Sequence, residues 1–128
     1  MIKVYVRKQT NYPIKASVIK RNLISFFKER GIVSDAVVSV VIVGEKKMLD
    51  IGRKYLKDNN VHNVLSFTAD EGRGDFVYPP GEHINLGEIV VCYPKAAEEA
   101  KGEGKRIDEK VSELLEHGAL HLMGIHHD

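Results

Sequence analysis

The chain has 128 residues, a formal charge of +1, 43% hydrophobic and 29% charged residues. That length allows one core and leaves no room for a second. The composition excludes a disordered chain, and the near-neutral balance means that any nucleic-acid contact must come from a local basic patch. No apolar run reaches the roughly 18 residues that span a bilayer, and the N-terminus MIKVYVRKQT lacks the order of a signal peptide. A single cysteine, Cys92, excludes an internal disulfide and suits a reducing, cytoplasmic setting.

Residues 2–8, IKVYVRK, alternate apolar and polar side chains, as a half-buried strand does. Residues 16–32 set Val18, Leu23, Ile24, Phe26, Phe27 and Ile32 among charged residues, which predicts an amphipathic helix stopped near Gly31. AVVSVVIVG, 36–44, is nearly continuous β-branched sequence and reads as a central strand. In 45–57 the residues Met48, Ile51, Gly52 and Tyr55 recur at helical spacing, and Lys46, Asp50, Arg53 and Lys57 occupy the opposite side.

NVLSFT, 63–68, is a short strand, and 69–85 is a long loop rich in Asp, Glu, Gly and Pro. LGEIVVC, 86–92, returns to strand. Pro94 suits the first turn of a helix over 94–103, and after the GEGK break Asp108 caps or supports a last helix through about residue 123. The order β-α-β-α-β-β-α-α predicts an α+β fold in one domain, 1–128: a small mixed four-stranded sheet with helices packed on it.

Four of the six histidines fall in the last twelve residues, HGALHLMGIHHD. His117 and His121, four apart, project from one face of a helix one turn apart. Gly124 can take the left-handed conformation that ends the helix, so the chain can fold back and bring His127 to the same ion. Three imidazoles leave the fourth position of a tetrahedral zinc open, the arrangement of a catalytic site. On the same helix Ile107, Val111, Leu114, Leu115, Gly118 and Leu122 form one stripe, and the two histidines lie beside it, at the border of core and solvent.

The spacing H-x-x-x-H-x-x-G-x-x-H is also that of a peptidase zinc frame, but those enzymes carry a glutamate general base directly after the first histidine. Here that position is Gly118, and Glu116 points away from the ligand face. The zinc frame is present without the peptidase's base, which makes a metallopeptidase the weakest reading.

HGALHLMGIHH resembles the H-G-x-L-H-L-x-G-y-D-H signature of the YbeY family, bacterial endoribonucleases of ribosomal RNA maturation. LGEIVVC resembles the family's L-G-D-I-V-I-S strand and NVLSF its D-V-L-S-F strand, so the resemblance covers most of the chain. It implies a metal-dependent, single-strand-specific endoribonuclease with one zinc ion on His117, His121 and His127, acting on rRNA precursor (16S maturation) and ribosome quality control. It also implies the ribosome or its small subunit as partner. The chain departs from the family pattern in several places: His126 stands at the usual aspartate, the sequence stops at Asp128, and Leu56 falls where an arginine implicated in catalysis is expected. Arg53, Lys54 and Lys57 lie close to Leu56 and are candidates for holding RNA phosphates, or else form a solvated helix face. His62 stands at the usual threonine and is not counted as a ligand. A second reading follows from Leu56 and the near-neutral charge: a ribosome-assembly or RNA-binding factor whose zinc is structural or vestigial.

Overall fold

A computed structural model describes residues 1–71 and 84–124. Four strands, β1 (Ile2–Lys8), β2 (Ala36–Val43), β3 (Val64–Phe67) and β4 (Ile84–Cys92), form one sheet in the order β1-β2-β4-β3. β1, β2 and β4 are parallel, and β3 runs antiparallel to β4. The mixed four-stranded sheet is the one expected from the sequence. All eight residues of β2 are buried, which is why its sequence is continuous rather than alternating. One row across the sheet joins Tyr5, Ser39, Glu88 and Phe67. Within it the Ser39 hydroxyl stands 3.4 Å from the Glu88 carboxylate, both buried.

Helix α1 (Ala16–Glu29) buries Ile19, Leu23, Phe26 and Phe27 against the sheet. It ends before residue 32 because Gly31 adopts φ 91° and the Ile32 N–H returns to the Phe27 carbonyl at 3.0 Å. Helix α2 (Glu45–Ile51) does not continue as an α-helix to 57: it widens into a π-helical turn over Gly52–Leu56. The returning chain explains the widening. A Cβ at Gly52 would lie 2.9 Å from Asp58 Oδ1 and 3.3 Å from the Asn60 carbonyl, so only glycine lets that segment lie so close. Lys57, at φ 59°, then turns the chain away.

Helix α3 (Tyr93–Glu103) carries Pro94 in its first turn, where the absent N–H leaves no bond unmade. Helix α4 (Ile107–Leu122) follows. Its cap position is Arg106 rather than Asp108. Asp108 sits inside the first turn, where its carboxylate accepts the Glu109 N–H at 3.1 Å and favours the positive end of the helix. Lys110 ties α4 to α3: its ammonium donates to both Glu103 oxygens at 2.9 and 3.1 Å and lies 3.5 Å from Glu99.

The main core lies between α1, α4 and one face of the sheet. A smaller one, with Val41, Val43, Met48, Ile51, Phe67, Val90 and Cys92, lies under α2 on the other face. Cys92 is fully buried there, and burial pushes its thiol up, as expected for an inert packing residue. Tyr55 packs against Phe67 and Tyr93 stacks on Tyr12 with ring centroids 4.6 Å apart, so both tyrosines serve packing. Of the expected 69–85 loop, residues 72–83 lie outside the described residues, and β4 begins at Ile84, two residues before the expected start.

Candidate functional site

Helix α4 lays Val111, Leu114, Leu115, Gly118, Ala119 and Leu122 onto the core and leaves the histidine side at the rim. Gly118 is the closest approach: a Cβ there would stand 2.8 Å from Ile89 Cγ2. The histidines therefore ride on a helix pressed against a central strand, which holds their backbone still. His117 is exposed and the His121 side chain is 34% exposed, the border position that the helical stripe predicts. The helix ends at Leu122, and Gly124 takes φ 80° with its N–H on the His121 carbonyl at 2.9 Å, as the stop at this glycine requires. His126, His127 and Asp128 lie outside the described residues, so the third expected ligand is not placed.

A second segment meets this helix. Gly87 on β4 adopts φ 128°, and a Cβ on it would fall 2.1 Å from the Phe67 carbonyl and 2.9 Å from Leu122 Cδ2. That glycine lets the end of β3 close over β4 and directs residues 68–71 toward α4. Glu71 Oε1 consequently stands 3.4 Å from His121 Nε2. Glu71 is itself held: it accepts the Thr68 N–H at 3.0 Å while its own N–H reaches the Thr68 hydroxyl. The Thr68 backbone N–H, the Thr68 hydroxyl and His121 together keep the Glu71 carboxyl below its ordinary range. Glu71 was invisible in the sequence, fifty residues from the histidine it faces.

Among the described residues, no group of three His, Cys, Asp or Glu side chains gathers as a metal site. The two histidines do fit zinc in kind: two imidazoles one helical turn apart at a solvent border, with a carboxylate beside one of them, are nitrogen and oxygen donors of the type zinc takes.

Beside His117 a pocket of 330 Å³ is lined by Asn63, Val64, Glu113, Leu114 and His117. Asn63 is fixed at both ends: its carbonyl accepts the Cys92 N–H at 2.9 Å, and its amide nitrogen donates to Glu99 at 2.9 Å. Neither Asn63 nor Glu113 was singled out from the sequence.

Arg53, Lys54 and Lys57 fall elsewhere. They are exposed on and after the π-helical turn, which packs with α2 over the smaller core rather than against α4. Arg53 donates to Asn59 at 3.0 Å, and the Lys54 ammonium lies 5.2 Å from the Tyr55 ring centre. The segment leaving that turn ends at Asn63, in the His117 pocket, so one stretch of chain links the cationic turn to the histidine helix. Leu56 is 44% exposed on the same turn. His62 pairs with Asp58 at 2.8 Å and braces this return segment.

Fold and site together define an α+β domain that presents a helix-borne histidine pair at the end of its sheet. A model of the family described as Endoribonuclease YbeY matches residues 5–128. The chain is 34% identical over 109 residues to Endoribonuclease YbeY of Macrococcus caseolyticus, covering 85% of this chain and 70% of that protein. It is 29% identical over 133 aligned positions to Endoribonuclease YbeY of Dehalococcoides mccartyi, covering 98% and 77%. A Thermotoga maritima protein of known solution structure shares the fold, with a TM-score of 0.58 at 22% identity over 98% of this chain and 75% of that one. The chain belongs to the YbeY family of endoribonucleases.

Proposed function

We propose that this protein is a zinc-dependent endoribonuclease that cuts single-stranded ribosomal RNA in 16S maturation and ribosome quality control, with His117, His121 and His127 holding one zinc ion. The observation that carries this reading is the pairing of His117 and His121 at the rim of a rigidly packed helix, with Glu71 standing 3.4 Å from His121. When bound, zinc supplies Lewis acidity toward a phosphoryl oxygen and lowers the pKa of a water to about 7.

The chain's own groups have separable roles. Glu71 stands as an anion beside His121 and orients its ring. Arg53 and Lys54 on the π-helical turn and Lys57 just after it hold the RNA backbone as exposed positive charges; Arg53 alone offers a planar fork. The Gly118–Ile89 contact keeps the histidine helix at a fixed height over the sheet. RNA is the substrate, the ribosomal small subunit is the partner, and the cytoplasm is the site of action. No described helix is long and apolar enough to cross a membrane.

Measuring zinc content and single-stranded rRNA cleavage for wild type and for alanine variants of His117, His121 and His127 tests the reading. One zinc per wild-type chain, lost with activity in each variant, supports it. Equal cleavage by wild type and His121→Ala overturns it.

One observation favours a second reading, a ribosome-assembly factor with a structural zinc: Leu56, exposed and apolar, stands where the family pattern has an arginine. That reading expects RNA or ribosome binding with no metal-dependent cleavage.

A further inference from the structure

The pocket beside His117 has its own chemistry. Its walls are apolar, from Val64 and Leu114, and its polar groups other than His117 are Asn63 and Glu113. A volume of 330 Å³ falls at the lower end of the ~300–1,000 Å³ usual for small-ligand sites, which suits one planar base rather than a larger group. The hydrogen bonds settle the polarity. Glu99 is a carboxylate and only accepts, so Asn63 must turn its amide nitrogen toward it, at 2.9 Å. With its nitrogen turned to Glu99, Asn63 carries its carbonyl oxygen, an acceptor, on the other side of the amide. Glu113 also only accepts: it lies four residues before His117 on α4, takes the Lys105 ammonium on Oε1 at 2.5 Å, and has Oε2 at the longer distance of 3.9 Å from the Lys110 ammonium. A ligand entering here meets two acceptors between two apolar walls.

Among the RNA bases, guanine alone displays two adjacent donors, N1–H and the N2 amine, on its Watson–Crick edge. Adenine and cytosine each set a ring acceptor beside their amine, which a carboxylate repels, and uracil offers a single N–H flanked by carbonyls. We propose that this pocket is a specificity subsite for a guanine next to the scissile phosphate, with Glu113 and Asn63 reading its N1–H and N2 amine. Its position follows from the proposed function, on which the word scissile rests; the acceptor pattern does not depend on it. Glu113 and Asn63 are specificity residues here and take no part in bond breaking.

The test uses the full chain loaded with zinc and short 2′-O-methyl oligouridylates carrying a single guanosine, inosine or adenosine. Binding is read by fluorescence anisotropy, and the oligonucleotides are checked afterwards for integrity. Wild type is expected to bind the guanosine probe about tenfold more tightly than the inosine probe, which lacks the N2 amine, or the adenosine probe. Glu113→Ala is expected to lose most of this preference, keeping only the part that Asn63 supplies. Lys105→Met breaks the same ion pair but leaves the carboxylate, and is expected to keep the preference. Equal binding of the three probes by wild type overturns the proposal, as does a preference that survives undiminished in Glu113→Ala or is lost equally in Lys105→Met. Cleavage of unmodified RNA is scored separately. Cleavage without a guanine preference removes the subsite and leaves the nuclease reading standing; a guanine preference without cleavage does the reverse.

Discussion

Gly118 on α4 lies so close to Ile89 on β4 that a Cβ on the glycine would stand 2.8 Å from Ile89 Cγ2 and 3.3 Å from Cγ1. Ile89 is fully buried and has nowhere to retreat. The relationship explains two things together. It fixes the height of the histidine helix over the sheet, and it bars a glutamate from the position where a peptidase of this spacing carries its general base. Gly118→Ala should therefore destabilise the protein. Overpacking costs ~1–3 kcal/mol, and the better helix propensity of alanine recovers up to ~1 kcal/mol. A net loss of about 1 kcal/mol is expected in urea unfolding. In an Ile89→Ala background, where Cγ2 and Cγ1 are gone, the same substitution should become neutral or stabilising. Additive losses in the double variant would contradict this account of the contact.

Gly87 is the stricter case. Its φ of 128° is strained for any other residue, and the added Cβ would meet the Phe67 carbonyl at 2.1 Å, backbone that cannot turn aside. Gly87→Ala is expected to cost about 3 kcal/mol or more, from strained backbone together with forced separation of β3 and β4. Circular dichroism melts should show a variant that is largely unfolded or strongly lowered in Tm. A melt within a few degrees of wild type would refute the placement of β3 against β4.

Lys110 supplies a pH-dependent test. The ammonium holds the Glu103 carboxyl below its ordinary 4.5, and Glu103 in turn holds Lys110 above its ordinary 10.5. A depressed carboxyl contributes stability that is present above pH 4.5 and lost as pH falls through the lower folded value. A raised ammonium contributes stability that is present below pH 10.5 and lost as pH rises through the higher folded value. The tie between α3 and α4 thus operates from roughly pH 4.5 to 10.5. Lys110→Met should be less stable than wild type at pH 7, and the gap should shrink below pH 4 and in concentrated salt. Urea midpoints at pH 3 and pH 7 decide it; a gap independent of pH would assign the effect to packing alone.

Glu71 faces His121 while anchored to Thr68. Glu71→Gln keeps an acceptor for the Thr68 N–H but removes the charge beside the imidazole. Loss of such an outer partner weakens metal binding by ~10- to 100-fold. Competition with a zinc chelator should show about a tenfold weaker zinc affinity with an unchanged fold. An unchanged affinity would remove Glu71 from the site.

These residues also show which features were legible in the sequence. The strands and helices were, because β2 is a run of β-branched residues and α1 and α4 carry clear apolar stripes. The histidine pair and its glycine stop were, because an i, i+4 spacing is local. The π-helical turn was not: it exists because residues 58–60 come back against Gly52, and periodicity within 45–57 carries no record of that. Of the two roles open to Asp108, cap or support, the backbone leaves the second: the helix starts at Ile107, so the cap falls on Arg106, two residues before Asp108. Glu71, Asn63 and Glu113 were missed because long-range packing alone brings two of them to the histidine helix and makes a pocket of the third.

The central claim is that the histidines of α4 hold a zinc ion used to cut RNA. The most direct measurement is a zinc titration into chelator-treated protein, following cleavage of single-stranded rRNA in wild type and in His121→Ala. The account predicts that wild-type cleavage is restored and saturates at one zinc per chain, while His121→Ala stays inactive at the same zinc concentrations. Cleavage that persists after chelation, or that is equal in His121→Ala, would contradict it.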